Sequence, residues 1–229
     1  MSAKKVIVLS LGGSVIIPDK INYSFLHKFE KTLRKHYKTH KFVIVCGGGS
    51  IARKYISALK AEGKSELEKS MAGIMATREN AVFMMEFFGK EANSSLPLNM
   101  EQVKNNIHKN SVVFCGALRF MPKSTSDETA ARLANFLKTD FINITNVPGL
   151  YTSDPRKNKN AKLIKEISWN DFNKIASKIK YHAGEHFVLD QKAASLIKKH
   201  KIRTYIIGPN LKNLENILKN NKFLGTLIS

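Results

Sequence analysis

Apolar runs rich in β-branched residues recur along the chain at 5–11, 41–46, 111–115, 140–145 and 202–207. Between them, apolar positions return at helical spacing across 22–38, 50–62, 66–91, 127–138, 188–200 and 211–219. Strand-like runs alternating with amphipathic helices predict an α/β fold, a three-layer αβα sandwich with a mainly parallel central sheet. The stretch "PLNMEQVKNNIHKN" reads as a short helix or loop excursion, and "YTSDPRKNKNAKL" as a polar loop. No linker, repeat or low-complexity block interrupts the pattern, so residues 1–229 are expected to form a single domain.

Two of the runs end in glycines. "LSLGGSV" (9–15) closes the first and "VIVCGGGSIARKY" (43–55) the second. Glycine costs conformational entropy, so it needs a local reason such as a tight turn or close backbone approach. In parallel sheets ligands bind outside the carboxyl ends of the strands, where amides and helix N-termini converge, and both stretches fall at that edge. In the second, Ser50 is placed to cap the following helix, and Arg53 can turn its guanidinium toward a phosphate. Tight strand–helix turns would explain either stretch alone; two in one chain favour an anion site. Neither Gly-x-x-x-x-Gly-Lys-Ser/Thr nor Gly-x-Gly-x-x-Gly is present, so phosphates must be cradled another way.

Two later stretches carry further polar chemistry. "KSTSDETAARLANFL" (123–137) sets Ser124, Thr125, Ser126 and Asp127 at the mouth of a helix, with Lys123 before them. They offer caps, donors and charge, although a purely structural cap needs the same residues. "ITNVPGLYTSDP" (144–155) follows a strand with Thr145, Tyr151 and Asp154. Tyr151 suits either the wall of a base pocket or a half-buried loop.

Charge and cysteine content narrow the setting. The 38 Lys+Arg against 18 Asp+Glu give a net charge of +20, a field that draws anions. The lysines are spread along the whole chain, including solvent-facing helix positions such as "KFEKTLRKHYK", so the surplus reads as general rather than as a nucleic-acid surface. No apolar run reaches the length of a membrane span, and the basic start "MSAKK" leads into a strand rather than a cleavable leader. Cys46 and Cys115 end apolar runs and read as buried hydrophobes in a reducing cytoplasm.

The order of these motifs resembles the amino-acid kinase superfamily, whose members phosphorylate carboxylate, carbamate or phosphate groups with MgATP. Within it the chain is most similar to archaeal-type uridylate (UMP) kinases. The likeness rests on "GGGSIARKYI", "GIMATRENA" (73–81, beside the monophosphate in that family), "STSDETAARLA", "ITNVPGLYTSDP" and "AGEHFVLDQKAASLI" (183–197). It implies that Gly12, Gly13, Ser14, Gly49 and Arg53 meet the ATP phosphates, while Thr145, Tyr151 and Asp154 hold the ATP nucleoside. Gly48 would approach UMP, Ser70 would stand at its ribose, and Phe120, Met121, Pro122, Lys123, Ser124, Thr125 and Ser126 would wrap its phosphate. Arg53, Lys123 and Asp127 would act in catalysis, Asp127 by organising the charges around the transferring phosphoryl group. Mg²⁺ would arrive with ATP, without a separate protein metal site, and the assembly would be a homohexamer built from dimers.

Three positions depart from that pattern. Ser10 stands where many superfamily members carry a lysine, which leaves Lys123, Arg53 and Arg119 as candidate cations. Ser70 stands where a ribose-binding aspartate is usual, and the monophosphate loop reads "GALRFMPKSTSD" rather than glycine-rich. These departures keep two alternatives in view. One is another kinase of the superfamily, such as one acting on isopentenyl phosphate, which would favour a histidine after the second glycine loop; none is there. The other is a non-catalytic nucleotide- or oxyanion-binding protein on the same fold.

Overall fold

The computed structural model describes residues 3–120, 125–153, 155, 158–178 and 188–229. Strand β1 (Lys5–Leu11) leads through a short helix α1 (Gly13–Ile16) and helix α2 (Tyr23–Arg34) to β2 (His40–Cys46). Helices α3 (Gly49–Ala61), α4 (Glu66–Phe88) and α5 (Met100–Lys109) precede β3 (Val112–Cys115), and α6 (Ser126–Leu137) joins it to β4 (Phe141–Ile144). The chain ends with β5 (Glu166–Ile167), α7 (Trp169–Lys178), α8 (Gln191–His200), β6 (Thr204–Ile207), α9 (Leu211–Leu218) and β7 (Thr226–Ile228).

Among the described residues seven strands join one sheet in the order β3-β2-β1-β4-β6-β7-β5. The first five run parallel, β7 is antiparallel to β6, and β5 lies parallel to β7. Strand alternation then sorts the side chains. Ile7, Leu9 and Leu11 of β1 face one layer, with α2, α4 and α9 packed over them through Phe29, Met84 and Leu214. Val8 faces the other, under α5, α6, α7 and α8 with Val103, Leu133, Phe172 and Ile197. The αβα sandwich expected from the sequence is therefore present.

Four elements lie outside the expectation. β5 and β7 have only two and three residues, too few to show any period. α1 is a single turn that the glycines concealed. α7 did carry a signal: Trp169, Phe172, Ile175 and Ala176 recur at helical spacing, and the Ser168 hydroxyl both accepts from the Asp171 amide and donates to its carboxylate. The stretch at 97–110 forms a true helix, α5, capped by Asn99 and closed by Lys41, whose ammonium donates to the carbonyls of Ile107 and His108.

The glycine turns explain how the sheet's carboxyl edge closes. Both sit at the ends of neighbouring strands, and the Gly47 amide donates to the Leu11 carbonyl at 2.9 Å. A Cβ on Gly13 would fall 2.5 Å from the Gly49 Cα, one on Gly47 2.5 Å from the Gly13 nitrogen, and one on Gly49 2.5 Å from the Gly13 oxygen. Gly49 also has φ +60°, which an L side chain rarely adopts. These glycines are required by each other before any ligand is considered. Gly13→Ala is therefore expected to cost about 3 kcal/mol or more, lowering the melting temperature by about 6–12 °C. Gly73→Ala is the control: its Cβ meets only the mobile Ile56 Cδ1, at 3.4 Å. Helical propensity should make that change neutral or stabilising by up to about 1 kcal/mol. Thermal unfolding followed by circular dichroism checks both.

Candidate active site

The interlocked turns leave several amides without an internal acceptor. The backbone nitrogens of Gly13, Ser14, Gly48 and Gly49 have no acceptor among the described residues, at the start of α1 and α3. Gly12 is held beside the next strand, its amide donating to the Ile144 carbonyl at 3.0 Å, close to Thr145. Helix α4 fastens the mouth from one side. Asn80, fully buried, donates through its side-chain amide to the Gly47 carbonyl at 2.7 Å. Three residues earlier, the Thr77 hydroxyl accepts from the Ala117 amide at 3.0 Å, at the turn that leaves β3.

A pair of acids lies on the other side. Ser10 shares the α6-facing side of β1 with Val8, and its hydroxyl donates to Asp127 Oδ1 at 2.7 Å. Asp127 is the second residue of α6, not its cap; Thr125 is the cap, accepting from the Glu128 amide at 3.0 Å. The Thr125 hydroxyl in turn donates to Asp190, which caps α8 by accepting from the amides of Lys192 and Ala193 at 2.8 and 3.0 Å. Asn143, buried on β4, donates to the Val188 carbonyl and so anchors the approach to α8. Two helix N-termini thus meet at two carboxylates. Burial, reinforced by the neighbouring Asp190 charge and opposed by the Ser10 hydrogen bond, pushes the Asp127 carboxyl from 3.8 up to about 7.

Glycine amides and an acid pair at the carboxyl edge of a parallel sheet are suited to nucleotide phosphates and a cation. The amino acid kinase family model matches residues 5–208. The chain belongs to this family. It is 36% identical over 224 residues to a uridylate kinase of Thermococcus onnurineus, covering 97% of this chain and 98% of that protein. It is 35% identical to the uridylate kinase of Archaeoglobus fulgidus, covering 97% and 99%. The crystal structure of uridylate kinase from Archaeoglobus fulgidus superposes with a TM-score of 0.84 at 33% identity, over 97% of this chain and 99% of that one.

Within this amino acid kinase fold, the structure brings together Gly12, Gly13, Ser14, Gly48, Gly49 and Thr145 at one mouth, and Thr125 with Asp127 beside it. Ser126 opens α6 next to Asp127. Arg53 reaches back to the loop after α1, donating to the Pro18 carbonyl at 3.2 Å. Ser70 lies one helical turn before Gly73, whose carbonyl is near Gly48. Tyr151 pairs in an isolated bridge with Leu163, and Phe120 is exposed. Met121, Pro122, Lys123, Ser124 and Asp154 lie outside the described residues. Sequence reasoning gave Asp190 no role. Its signal was Asp190 immediately before the apolar-periodic 191–200 helix, a capping position.

The raised Asp127 value has a definite consequence for the ligand-free protein. A carboxyl at 3.8 when unfolded and about 7 when folded binds more protons in the native state across that interval. Stability from this group is full below about pH 4, falls as pH rises, and is lost above about pH 7. Asp127→Asn keeps an acceptor for Ser10 and removes the charge. In chelator-treated protein the variant should melt higher than the parent at pH 8, by about 2–4 °C for each kcal/mol relieved, with the gap closing toward pH 5. A gap that is constant with pH would contradict the assignment.

Proposed function

We propose that the protein is a uridylate kinase, transferring the γ-phosphoryl group of ATP to UMP to give UDP in pyrimidine nucleotide synthesis. The observation that carries this reading is the Asp127–Asp190 pair beside the two glycine turns, on a chain matching archaeal uridylate kinases over nearly its full length. Phosphoryl transfer asks little covalent chemistry of the protein, because positioning and charge neutralisation lower most of the barrier.

The amides of Gly13, Ser14 and Gly49 receive the donor phosphates, with the N-terminus of α3 behind them. Arg53 adds a cation by leaving the Pro18 carbonyl, and Lys123 is assigned a second. Thr145, Tyr151 and Asp154 hold the donor nucleoside; Gly48, Ser70 and residues 120–126 hold UMP. Two carboxylate oxygens on hydrogen-bonded, half-enclosed acids form a hard donor set that fits Mg²⁺. Asp127 and Asp190 would hold the Mg²⁺ that accompanies ATP, and it supplies charge neutralisation on the phosphoryl oxygens. Ser10 and Thr125 keep one hydroxyl proton on each acid, fixing their orientation. The acceptor is already a phosphate oxygen, so no strong general base is required.

An acceptor panel tests the reading. With MgATP, UMP should be turned over at least about tenfold more efficiently than CMP or AMP, since a site built to hydrogen-bond one base edge leaves polar groups unpaired with another. Equal efficiency across the panel would overturn UMP specificity, and binding without ADP release would favour a non-catalytic protein.

We further propose a cytoplasmic homo-oligomer, a hexamer by family likeness. Both cysteines are free and buried, and no helix among the described residues is long and apolar enough to cross a membrane. Helix α4 presents Leu67, Met71, Met75 and Val82 to solvent at spacings of four, four and seven. Such a stripe suits a second copy of the chain. Joint Met71→Glu and Met75→Glu substitution should move the protein to a smaller species in light scattering coupled to gel filtration; an unchanged mass would exclude this face.

A further inference from the structure

Arg78 lies within the 73–81 stretch that the family likeness sets beside the monophosphate, but no role of its own has been assigned to it above. It follows Thr77 on α4, and the two residues grip Ala117, in the turn after β3, by its amide and its carbonyl. Thr77 Oγ1 accepts from the Ala117 amide at 3.0 Å, and Arg78 Nε donates to the Ala117 carbonyl at 3.0 Å. Helix and turn touch backbone to backbone here: a Cβ on Gly116 would lie 2.6 Å from the Arg78 nitrogen and 2.7 Å from the Thr77 carbonyl carbon. The guanidinium is therefore held against the root of segment 116–125, which runs on to Thr125 and Asp127.

A structural clamp would need only the Nε–H. Arginine brings four further N–H donors and a permanent charge, in a planar fork matched to phosphate oxygens. The residue is half-buried, and no carboxylate pairs with it among the described residues. Two other helical arginines, Arg34 and Arg132, do have such partners, Glu30 with Glu91 and Glu128, whereas Arg53 on α3, like Arg78, bonds only a backbone carbonyl among the described residues. A half-enclosed guanidinium without an acid keeps its charge and its spare donors available to an anion. The anion closest to hand by function is the acceptor's phosphate.

We infer that Arg78 is a binding residue for the monophosphate of the acceptor nucleotide: Nε fixes the turn at Ala117 while the terminal nitrogens take the phosphate oxygens. This rests on the uridylate kinase reading of the 116–126 segment. It places positive charge for the acceptor phosphate on α4, apart from Arg53 on α3, assigned to the donor phosphates, and Lys123.

The test separates charge from clamp. Arg78→Gln keeps a donor for the Ala117 carbonyl and removes the charge; Arg78→Lys keeps the charge and removes the fork. Arg78→Gln should raise KM for UMP by about 10- to 100-fold with KM for ATP within about twofold, and should abolish the rise in melting temperature that UMP alone produces in the parent. Arg78→Lys should fall between parent and Arg78→Gln for UMP. An unchanged KM for UMP in both variants would overturn the inference, as would equal losses for UMP and ATP, the mark of a turn that has merely loosened. Phe120→Ala and Arg119→Ala report on the loop separately. If they raise KM for UMP and Arg78→Gln does not, the loop reading stands and the role of Arg78 falls; if none does, both fall.

Discussion

The site depends on two peptide turns approaching more closely than any side chain permits. Gly13, Gly47 and Gly49 meet through backbone atoms alone, so the ends of β1 and β2 are locked at one separation. That lock precedes ligand binding. It fixes the unpaired amides of both turns relative to each other, and it sets where α3 begins. Asn80 continues the constraint, because its bond to the Gly47 carbonyl ties the second turn to a helix that also grips the Gly116 turn. Three strand ends are thereby held to one scaffold, and rigidity at this edge is what in-line transfer between two bound nucleotides requires.

The acid side of the site follows from a different rule, the two-residue period of a strand. Ser10 lies two positions beyond Val8 and Asn143 two beyond Phe141, all on the layer beneath α6 and α8. Apolar members of each pair pack the core, and the polar member nearest the carboxyl end reaches the site. Helix capping completes the arrangement: Thr125 and Asp190 each cap a helix, and a hydrogen bond between them joins the two N-termini. No residue here is devoted to the site alone. Removing any of them would disturb a helix start or strand contact as well as the chemistry.

This double use explains what could be read in advance. The parallel core and its helices were legible because the strands from β1 to β4 and β6 are apolar runs and the long helices repeat every three to four residues. β5 and β7 were not, since two or three residues carry no period, and their pairing is decided by neighbours. The glycine turns were legible as special but not as mutual; a glycine needed by another glycine looks the same in sequence as one needed by a phosphate. Asp127 stood out as an acid amid hydroxyls. Asp190, 63 residues later, stood in a capping position like many others, and only tertiary proximity makes it half of a pair. Arg78 stood inside the 73–81 motif, but periodicity alone makes an arginine there an ordinary solvent-facing helix residue.

Ser10 changes what Asp127 is for. A lysine at that strand position would lie beside the carboxylate, hold it ionised and offset its charge. A serine supplies one hydrogen bond and no charge, and the acid rises to about 7 between burial and Asp190. The ligand-free site is thus left with an incomplete charge balance, which a cation entering with the donor nucleotide would complete. Binding then relieves an electrostatic cost that folding alone does not, so donor and cation should stabilise the fold together. The glycine lock makes that cost bearable: turns fixed by backbone contact do not need an internal ion pair to keep their shape. A serine at the strand position and close-packed glycines at the turns are, on this view, two sides of one physical arrangement.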